Sequence, residues 1–255
     1  MRDRVRERWA DGETALNAWL GSAEPASAAA VASAGFDAAV VDLQHGSASL
    51  DTLEPILAAI EPTGAVPFVR IRWNDPGLVM RALDLGARGV ICPMVDTAAH
   101  AEAFVSACRY PPLGTRSYGP LRGAFGSGRE QTERANQAVL AFAQIETAEG
   151  LANVAEIAAT PGLDGLYVGP ADLSLTLGLV TFADLNDPEL LAALDRVLDA
   201  AREAGVVPGI HAPSVDDAVA MAHRGFRFIG AATDTDSRGS ATEAPARVRE
   251  ALAGE

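Results

Sequence analysis

Short apolar segments alternate with longer, alanine-rich helical segments along almost the whole chain. Nearly continuous apolar runs of four or five residues are typical of strands buried in a parallel sheet, and the segments between them are typical of the helices that cover it. We predict strands at Ala15–Trp19, Ala39–Leu43, Pro67–Ile71, Gly89–Pro93, Ala141–Ile145, Gly165–Val168, Val207–Ile210 and Phe228–Ala231. We predict helices at Ala26–Ala34, Leu50–Ile60, Pro76–Leu85, Thr97–Cys108, Ala148–Ala159, Pro188–Ala204, Val215–His223 and Ala244–Leu252.

About eight repeats in 255 residues favour one closed (β/α)8 barrel, residues 1–255, over an open doubly wound sheet. The G-x-G-x-x-G motif of dinucleotide-binding sheets does not follow the first strand.

Two segments interrupt the alternation of strands and helices. Tyr110–Gln131 is rich in Gly, Pro and Arg and has no helical or strand period, and a loop of this length is usually functional or mobile. Gly178–Asp187 is a second irregular stretch.

The charge of the chain narrows the classes of ligand. Its formal net charge is −14 and its pI is about 4.7, whereas nucleic-acid binding requires clustered Lys and Arg. The same charge argues weakly against anionic membranes. An acidic protein that binds an anionic substrate must place positive charge locally, as a metal ion or as a few arginines. We therefore expect neither nucleic acid nor membrane as a partner.

The N-terminal segment is charged and lacks an apolar signal core, and the chain has no run of 18 apolar residues. We expect a cytoplasmic enzyme. The two cysteines, Cys92 and Cys108, are not in a metal-binding spacing, and we interpret both as small buried hydrophobic residues. We place His100 and His223 on helix surfaces.

Two acids follow neighbouring predicted strands at their C-terminal ends, where barrel enzymes carry their active sites. Glu146 follows the fifth strand and Asp172 follows the sixth. Carboxylates with open positions for water and substrate suit Mg²⁺, Mn²⁺ or Co²⁺. Each acid also has a simpler interpretation, Glu146 as a charge at a helix start and Asp172 as a helix N-cap. Their joint position favours a metal site.

The sequence Gly169-Pro170-Ala171-Asp172 is a Gly-Pro turn that leads into a short helix. The first backbone N–H groups of a helix have no partner within the helix and attract carboxylates and phosphates. The N–H groups of Ala171 and Asp172 are therefore candidates for binding a substrate carboxylate.

His45 lies three residues after Asp42 at a strand end, where a histidine near carboxylates can act as an acid or base near neutral pH. His211 ends the seventh strand and is a secondary candidate. Arg70 and Arg72 share strand parity, so alternation alone does not separate them. Arg70 is closer to the strand and is our candidate for a cation that bridges an enolate or carboxylate oxygen.

All 20 basic residues other than histidine are Arg, and the chain contains no Lys. A Schiff-base mechanism on a carbonyl substrate requires a lysine amine. The sequence therefore excludes that route and favours a metal ion as the electron sink for a small 2-oxo acid.

Six segments, in this order and spacing, resemble the HpcH/HpaI family of class II pyruvate aldolases, also called hydroxy ketoacid aldolases. The resemblance extends from about Trp19 to His211. The segments are VDLQHG, PFVRI, LDLGARGVICPMV, RYPPLGTRS, QIETAEGLANV and DGLYVGPADLSLTLG.

This resemblance implies a (β/α)8 barrel. Such barrels often assemble as homo-oligomers, here a hexamer, in which helices are exchanged between subunits. It implies reversible addition of pyruvate to small aldehydes, that is, retro-aldol cleavage of 4-hydroxy-2-oxo acids. It also implies a divalent metal cofactor, Mg²⁺, Mn²⁺ or Co²⁺.

The same resemblance assigns roles to individual residues. Glu146 and Asp172 match the metal ligands, Arg70 matches the arginine that stabilises the enolate, and His45 matches the acid/base histidine. Asp42 and Asp84 match acids linked to His45, and Asp84 would reach His45 across a subunit interface. Residues that match the substrate-binding positions are Gln144, Gly169, Ala171 and Asp172. Trp19 matches an aromatic residue near the pocket.

The chain departs from many members at Gln44, where they carry Glu, which removes one acid from the barrel mouth. Members of the family that are similar in style also share the segment Phe125–Gly128, which is expected to shape the aldehyde side. Three alternatives stay open. One is a related metal-dependent carbon–carbon lyase acting on a thioester or ester, the second is oxaloacetate decarboxylation through the same enolate, and the third is a non-catalytic barrel. The conjunction of Glu146, Asp172, Arg70 and His45 argues against the third.

Overall fold

The computed structural model describes residues 3–122, 125–126, 128–235 and 240–254. Within them, parallel strands pair in chain order and close into a barrel, β1 with β2 through to β8, and β8 with β1. The fold class predicted from the sequence is confirmed. The strands are β1 Ala15–Leu20, β2 Ala38–Asp42, β3 Val66–Arg70, β4 Gly89–Cys92, β5 Leu140–Ile145, β6 Gly165–Val168, β7 Val207–His211 and β8 Phe228–Thr233.

Helices connect the strands on the outside of the barrel, and several begin at the signals expected of helix starts. Asp75 and Asp187 accept backbone N–H groups at the starts of α4 and α10, each followed by Pro at the first helical position. The helices are α1 Arg4–Ala10, α2 Pro25–Ala32, α3 Leu50–Ile60, α4 Pro76–Asp84, α5 Ala98–Cys108, α6 Gly128–Ala138, α7 Ala148–Ala152, α8 Val154–Ala158, α9 Pro170–Thr176, α10 Pro188–Ala204, α11 Val215–Arg224 and α12 Ser240–Ala253.

Two helices were not predicted, and one predicted helix is divided. α1 lies before β1, and its Trp9 ring packs 6.0 Å from Phe228 inside the barrel. α6 covers Gly128–Ala138, so the irregular segment ends at Gly128 rather than at Gln131. The predicted helix Ala148–Ala159 is two short helices that meet at Asn153.

The barrel interior is filled by large aromatic side chains. Phe68 and Phe142 lie with their ring centroids 6.1 Å apart. A Cβ atom at Gly89 would lie 2.1 Å from the Phe68 ring, and one at Gly165 would lie 2.2 Å from the Phe142 ring. Each glycine lies on the strand next to the one that carries the ring and makes room for it, β4 beside β3 and β6 beside β5. The interior is therefore a packed core rather than a channel.

Cys92 and Cys108 are both free and buried, as predicted, and His100 and His223 are exposed on helices. None of the described helices has the length and apolar character needed to cross a membrane.

Candidate active site

A cavity of about 200 Å³ opens at the C-terminal ends of the strands, where active sites of (β/α)8 barrels lie. Among the described residues, larger cavities of about 800 and 460 Å³ lie along α6 and beside α1 and α12. Convergent polar groups identify a site better than volume does, and the smaller cavity has them. It is lined by Trp19, His45, Arg70, Gln144, Tyr167, Gly169, Pro170, Ala171, Asp172 and His211.

Arg70 and Asp42 form a buried pair beneath this cavity. They are the last residues of β3 and β2 and are partners in the strand register. The Arg70 Nε donates to Asp42 Oδ1 at 2.9 Å, and its Nη2 donates to Oδ2 at 2.7 Å. The guanidinium also lies 4.9 Å from the centre of the Trp19 ring. The arginine is therefore held in one orientation by a two-point contact and an aromatic face.

The Asp42 carboxylate accepts further hydrogen bonds from Trp19 Nε1 at 3.3 Å and from the backbone N–H groups of Gln44 and His45 at 3.0 and 3.3 Å. Burial alone would raise the pKa of Asp42, but the hydrogen bonds and charge of Arg70 and the backbone N–H groups hold it below its ordinary value. Asp42 is thus an anion whose acceptor sites are occupied.

The structure does not join the Asp42 carboxylate to the His45 imidazole as the resemblance implied. The contact between these two residues is through the His45 backbone N–H, and the His45 side chain is exposed at the cavity mouth. The strand register explains this, since Asp42 lies beside Arg70 in the sheet.

Asp84 does not reach His45 within one chain. It is the last residue of α4, the helix that returns the chain to the start of β4, so it lies toward the opposite end of the barrel. Its carboxylate accepts from Arg116 Nη2 at 2.8 Å, and Arg116 in turn lies over the Tyr110 ring at 4.4 Å.

Arg72 resolves the ambiguity left by strand parity. β3 ends at Arg70, and Arg72 lies beyond it with an exposed side chain whose Nε donates to the Leu43 carbonyl. Of the two arginines, Arg70 is the one that lines the cavity.

Glu146 follows β5 and is 1% exposed. Its Oε1 accepts from the Met94 backbone N–H at 2.8 Å, and its Oε2 accepts from Gln144 Nε2 at 2.5 Å. Burial raises the pKa of Glu146 to about 7; the Met94 hydrogen bond opposes this, and the charge of Asp172 adds to it. The simpler interpretation of Glu146 as a charge at the start of a helix does not hold. Thr147 is the N-cap of α7, so Glu146 lies before the helix, and its carboxylate accepts from Met94 and Gln144 instead.

Met94 presents its N–H to Glu146 from an unusual backbone conformation. Its φ is 54°, in the left-handed region that residues other than Gly rarely adopt. Such conformations persist where the surrounding structure holds them, often at functional sites. Sequence reasoning missed Met94, because a backbone donor leaves no trace in the residue type.

Asp172 lies in the first turn of α9, and Gly169 rather than Asp172 is the N-cap. A Cβ atom at Gly169 would lie 2.6 Å from Glu146 Oε2 and 2.7 Å from Gln144 Nε2. The start of α9 therefore packs directly against the Glu146 carboxylate, at a distance that only Gly allows. Asp172 is close enough for its charge to raise the pKa of Glu146.

The residues present fit a divalent metal. Asp172 lines the cavity, and the buried Glu146 carboxylate lies close enough for the Asp172 charge to raise its pKa. Gln144 lines the cavity and contacts Glu146, and its Oε1 is buried without a hydrogen-bond partner. Unpartnered buried acceptors are rare and point to an absent ligand or water. In the part of the chain that the structure describes, no three His, Cys, Asp or Glu side chains are grouped to hold a metal. The fit is therefore to a metal with two protein carboxylates and further positions for substrate and water.

The comparisons with known proteins agree with this architecture. The HpcH/HpaI aldolase/citrate lyase family model matches residues 16–241. A hydroxypyruvate/pyruvate aldolase of Rhizorhabdus wittichii is 40% identical over 91% of this chain and 92% of its own length. A 2-dehydro-3,6-dideoxy-6-sulfogluconate aldolase of Pseudomonas putida is 39% identical over 86% of both chains.

A solved structure of an HpcH/HpaI aldolase/citrate lyase family protein from Burkholderia cenocepacia superposes with a TM-score of 0.84 at 33% identity, covering 99% of both chains. The chain therefore belongs to the HpcH/HpaI aldolase/citrate lyase family, and relatives in it are named aldolases, which are carbon–carbon lyases.

Proposed function

We propose that the protein is a metal-dependent class II aldolase that adds pyruvate, as its enolate, to a small aldehyde and cleaves 4-hydroxy-2-oxo acids in reverse. The observation that carries this proposal is that Arg70, Gln144 and Asp172 line one cavity of about 200 Å³. The buried Glu146 carboxylate is held against Gln144 and is close enough to Asp172 for that charge to raise its pKa. Two carboxylates for a metal and one fixed cation for an oxyanion are the groups that an enolate requires. The chain has no Lys for a Schiff base.

Glu146 and Asp172 would hold the metal, and Mg²⁺, Mn²⁺ or Co²⁺ suit their oxygen atoms. When bound, the metal supplies a Lewis acid that polarises the 2-oxo group and acidifies the C3 protons. Met94 and Gln144 hold the Glu146 carboxylate in place.

Arg70 stabilises the negative charge that develops on the enolate oxygen. Charge fixed in advance is effective because it needs no reorganisation during the reaction. Asp42 and the Trp19 ring hold the guanidinium, so Asp42 is a positioning residue rather than a proton carrier in this scheme.

His45 moves protons at the mouth of the cavity. In the addition direction it removes a C3 proton from pyruvate. The enolate C3 then bonds to the aldehyde carbon, the carbonyl π electrons move to the aldehyde oxygen, and that oxygen takes a proton from His45 to become the C4 hydroxyl. The exposed imidazole suits this exchange of protons with both reactants and solvent.

The substrate carboxylate is bound at the start of α9. Ala171 and Asp172 line the cavity beside Gly169, and their backbone N–H groups belong to the first turn of α9, where a helix leaves such groups without an internal partner. Gln144 lines the cavity from β5. These contacts orient the 2-oxo acid toward Arg70 on the neighbouring wall.

We also propose that the active protein is a homo-oligomer, a hexamer, in which Asp84 acts on His45 of a neighbouring copy. The support is that Asp84 cannot approach the cavity of its own chain, and that the segment near its partner Arg116 exposes Leu113, Tyr118 and Leu121 at 66, 57 and 61%. An interface between copies would cover these three side chains. Light scattering during size-exclusion chromatography measures the mass, and a monomer of 26.4 kDa would contradict this proposal.

Exchange of the pyruvate C3 protons in D2O tests the function without knowledge of the aldehyde. We expect exchange with Mg²⁺ or Mn²⁺, loss of exchange with EDTA, and recovery when metal is restored. Glu146→Gln should abolish exchange, whereas Glu149→Gln should not, since Glu149 is exposed on α7. Exchange that persists after thorough metal removal would disprove the metal–enolate scheme.

A further inference from the structure

The cavity of about 460 Å³ beside α1 and α12 lies at the end of the barrel opposite the candidate active site. Thr14 and Arg227 line it, and they directly precede β1 and β8, so the cavity lies where these parallel strands begin. The other walls come from α1 and the turn after it, from α11 and from the last turn of α12. The groups of the aldol scheme lie at the other ends of the strands and do not reach this cavity.

Arginine side chains from three separate parts of the chain meet in this cavity. They are Arg8 of α1, Arg227 before β8 and Arg249 of α12. Among the described residues that line it, Glu13 supplies the one carboxylate. Three guanidinium groups and one carboxylate leave an excess of two positive charges, in a chain whose formal net charge is −14. A local positive region of this kind concentrates anions.

A buried carboxylate fixes two of the three arginines. Asp37 is 0% exposed, and it accepts from Arg8 Nε at 3.3 Å and from Arg249 Nη2 at 2.7 Å. Asp37 also lies 3.8 Å from the Nε of Arg4, so its charge is offset by a further arginine behind the cavity. The excess of positive charge in the cavity therefore remains. Because the guanidinium groups are held in advance, a ligand need not order them when it binds.

Each of the three arginines keeps N–H groups for a ligand. A guanidinium carries five N–H donors in a planar fork. In the part of the chain that the structure describes, the hydrogen bonds of Arg227 both come from Nη1, which donates to the Ala222 and Phe226 carbonyls at 3.0 Å. Those of Arg249 both come from Nη2, and those of Arg8 come from Nε and Nη1. One terminal nitrogen of each guanidinium is thus left to donate.

We infer that this cavity binds a phosphate group, either free phosphate or the phosphate of a small ester. Guanidinium groups bind phosphate oxygens through paired, charge-assisted N–H bonds. A phosphate group carries about two negative charges near neutral pH, which balances the excess charge of the cavity. The volume lies within the range of about 300 to 1,000 Å³ that is usual for small-molecule sites, so it leaves room for an ester group. This inference does not rest on the proposed aldolase function.

The bound phosphate would join α1, α12 and the start of β8, so it should stabilise the folded protein. The assay is the melting temperature in EDTA with inorganic phosphate or glycerol 3-phosphate, compared with sodium chloride of equal ionic strength. If the dissociation constant is about 1 mM, about 10 mM ligand favours the folded state roughly elevenfold and raises Tm by about 3–6 °C. The ligand with the larger shift identifies the source of the phosphate group.

Arg227→Gln removes one guanidinium from the cavity and should weaken binding about tenfold, which removes most of the shift. Arg249→Gln is a second variant with the same expected result. Each shift is measured against the Tm of the same variant in sodium chloride, so a change in stability alone does not affect it. Arg202→Gln is the matched control, because Arg202 is an exposed arginine on α10 that pairs with Asp199, and it should keep the full shift.

The start of α9 is a second place where phosphate could bind, so the active site needs its own control. Arg70→Ala should keep the full shift, and wild type saturated with pyruvate and Mg²⁺ gives the same comparison without a substitution. Loss of the shift in either case would place the anion in the active site and overturn the inference. A wild-type Tm that is equal in phosphate, glycerol 3-phosphate and sodium chloride would also overturn it, as would a full shift in both Arg227→Gln and Arg249→Gln.

Discussion

Replacing Asp42 with Ala is expected to lower the free energy of unfolding by about 3–5 kcal/mol, because it leaves a buried guanidinium without its counter-charge. Arg70 is 8% exposed and Asp42 is 4% exposed. The Asp42 carboxylate accepts two hydrogen bonds from Arg70, one from Trp19 and two from backbone N–H groups. All of these donors would lose their acceptor at once.

In a chain of this size, a loss of 1 kcal/mol lowers Tm by about 2–4 °C, so the expected decrease is roughly 6–20 °C. Asp75→Ala is the matched control. Asp75 also accepts two backbone N–H groups, those of Gly77 and Leu78, but it does so at the exposed start of α4. Loss of such a helix cap costs about 1 kcal/mol.

The assay is urea denaturation followed by circular dichroism, with Asp42→Ala, Arg70→Ala and the double variant compared at one pH. The double variant should be less destabilised than the sum of the single variants, because it leaves no unpaired charge. A midpoint for Asp42→Ala that equals that of Asp75→Ala would refute the argument that this pair holds the arginine.

The pH dependence of the same variant follows from the lowered pKa of Asp42. A carboxyl group whose pKa is lower in the folded state stabilises the fold above its ordinary pKa, 3.8 here, and loses that contribution as the pH falls through the folded value. The difference in stability between wild type and Asp42→Ala should therefore be full at pH 5 and pH 7, and should shrink below pH 3.8. A difference that grows on acidification would contradict the sign.

Three further predictions concern the metal site. Glu146→Gln should stabilise the metal-free protein by about 3 kcal/mol above pH 7 but not below pH 4.5. The reason is that the folded protein holds the pKa of Glu146 at about 7, so the wild type loses stability as this carboxyl group ionises. Melting curves in EDTA at pH 4 and pH 8 measure the difference, and equal shifts at both pH values would contradict the prediction. Gly169→Ala should weaken Mn²⁺ binding at least tenfold, because the new Cβ would enter the space of the Glu146 and Gln144 side chains. Calorimetry measures the affinity, and an unchanged isotherm would show that the close packing of residue 169 on Glu146 does not matter for metal binding. Asp172→Ala should likewise weaken Mn²⁺ binding with little change in Tm, since Asp172 is not the N-cap of α9; normal affinity would remove it from the candidate ligands.

The barrel and the location of its active end could be predicted because both depend on local pattern. Each predicted strand lies within two residues of the observed one at either end. Polar residues directly after buried strands then had to meet at one end of the barrel. The helix α6 was missed for the same reason, since its sequence GREQTERANQA has no apolar stripe to reveal a helical period.

The partners within the site were harder to predict, because they depend on how separate elements approach one another. Asp42 was assigned to His45, three residues away, whereas its carboxylate contacts Arg70, 28 residues away. One signal for this pair was available, since both residues end adjacent strands and would lie side by side in a parallel register. No comparable signal existed for the N–H of Met94, because a backbone donor in a left-handed conformation is not encoded by the residue type.

The two buried cysteines have a consequence for an enzyme that handles aldehydes. Aldehydes in solution modify proteins chiefly at amines and thiolates, and this chain has no lysine amine. Burial raises the pKa of Cys108 to about 12 and raises that of Cys92 well above its ordinary value, so neither thiol ionises near neutral pH. Among its side chains the protein offers a reactive carbonyl compound neither an amine nor a thiolate. It should therefore remain active at aldehyde concentrations that inactivate lysine-rich enzymes.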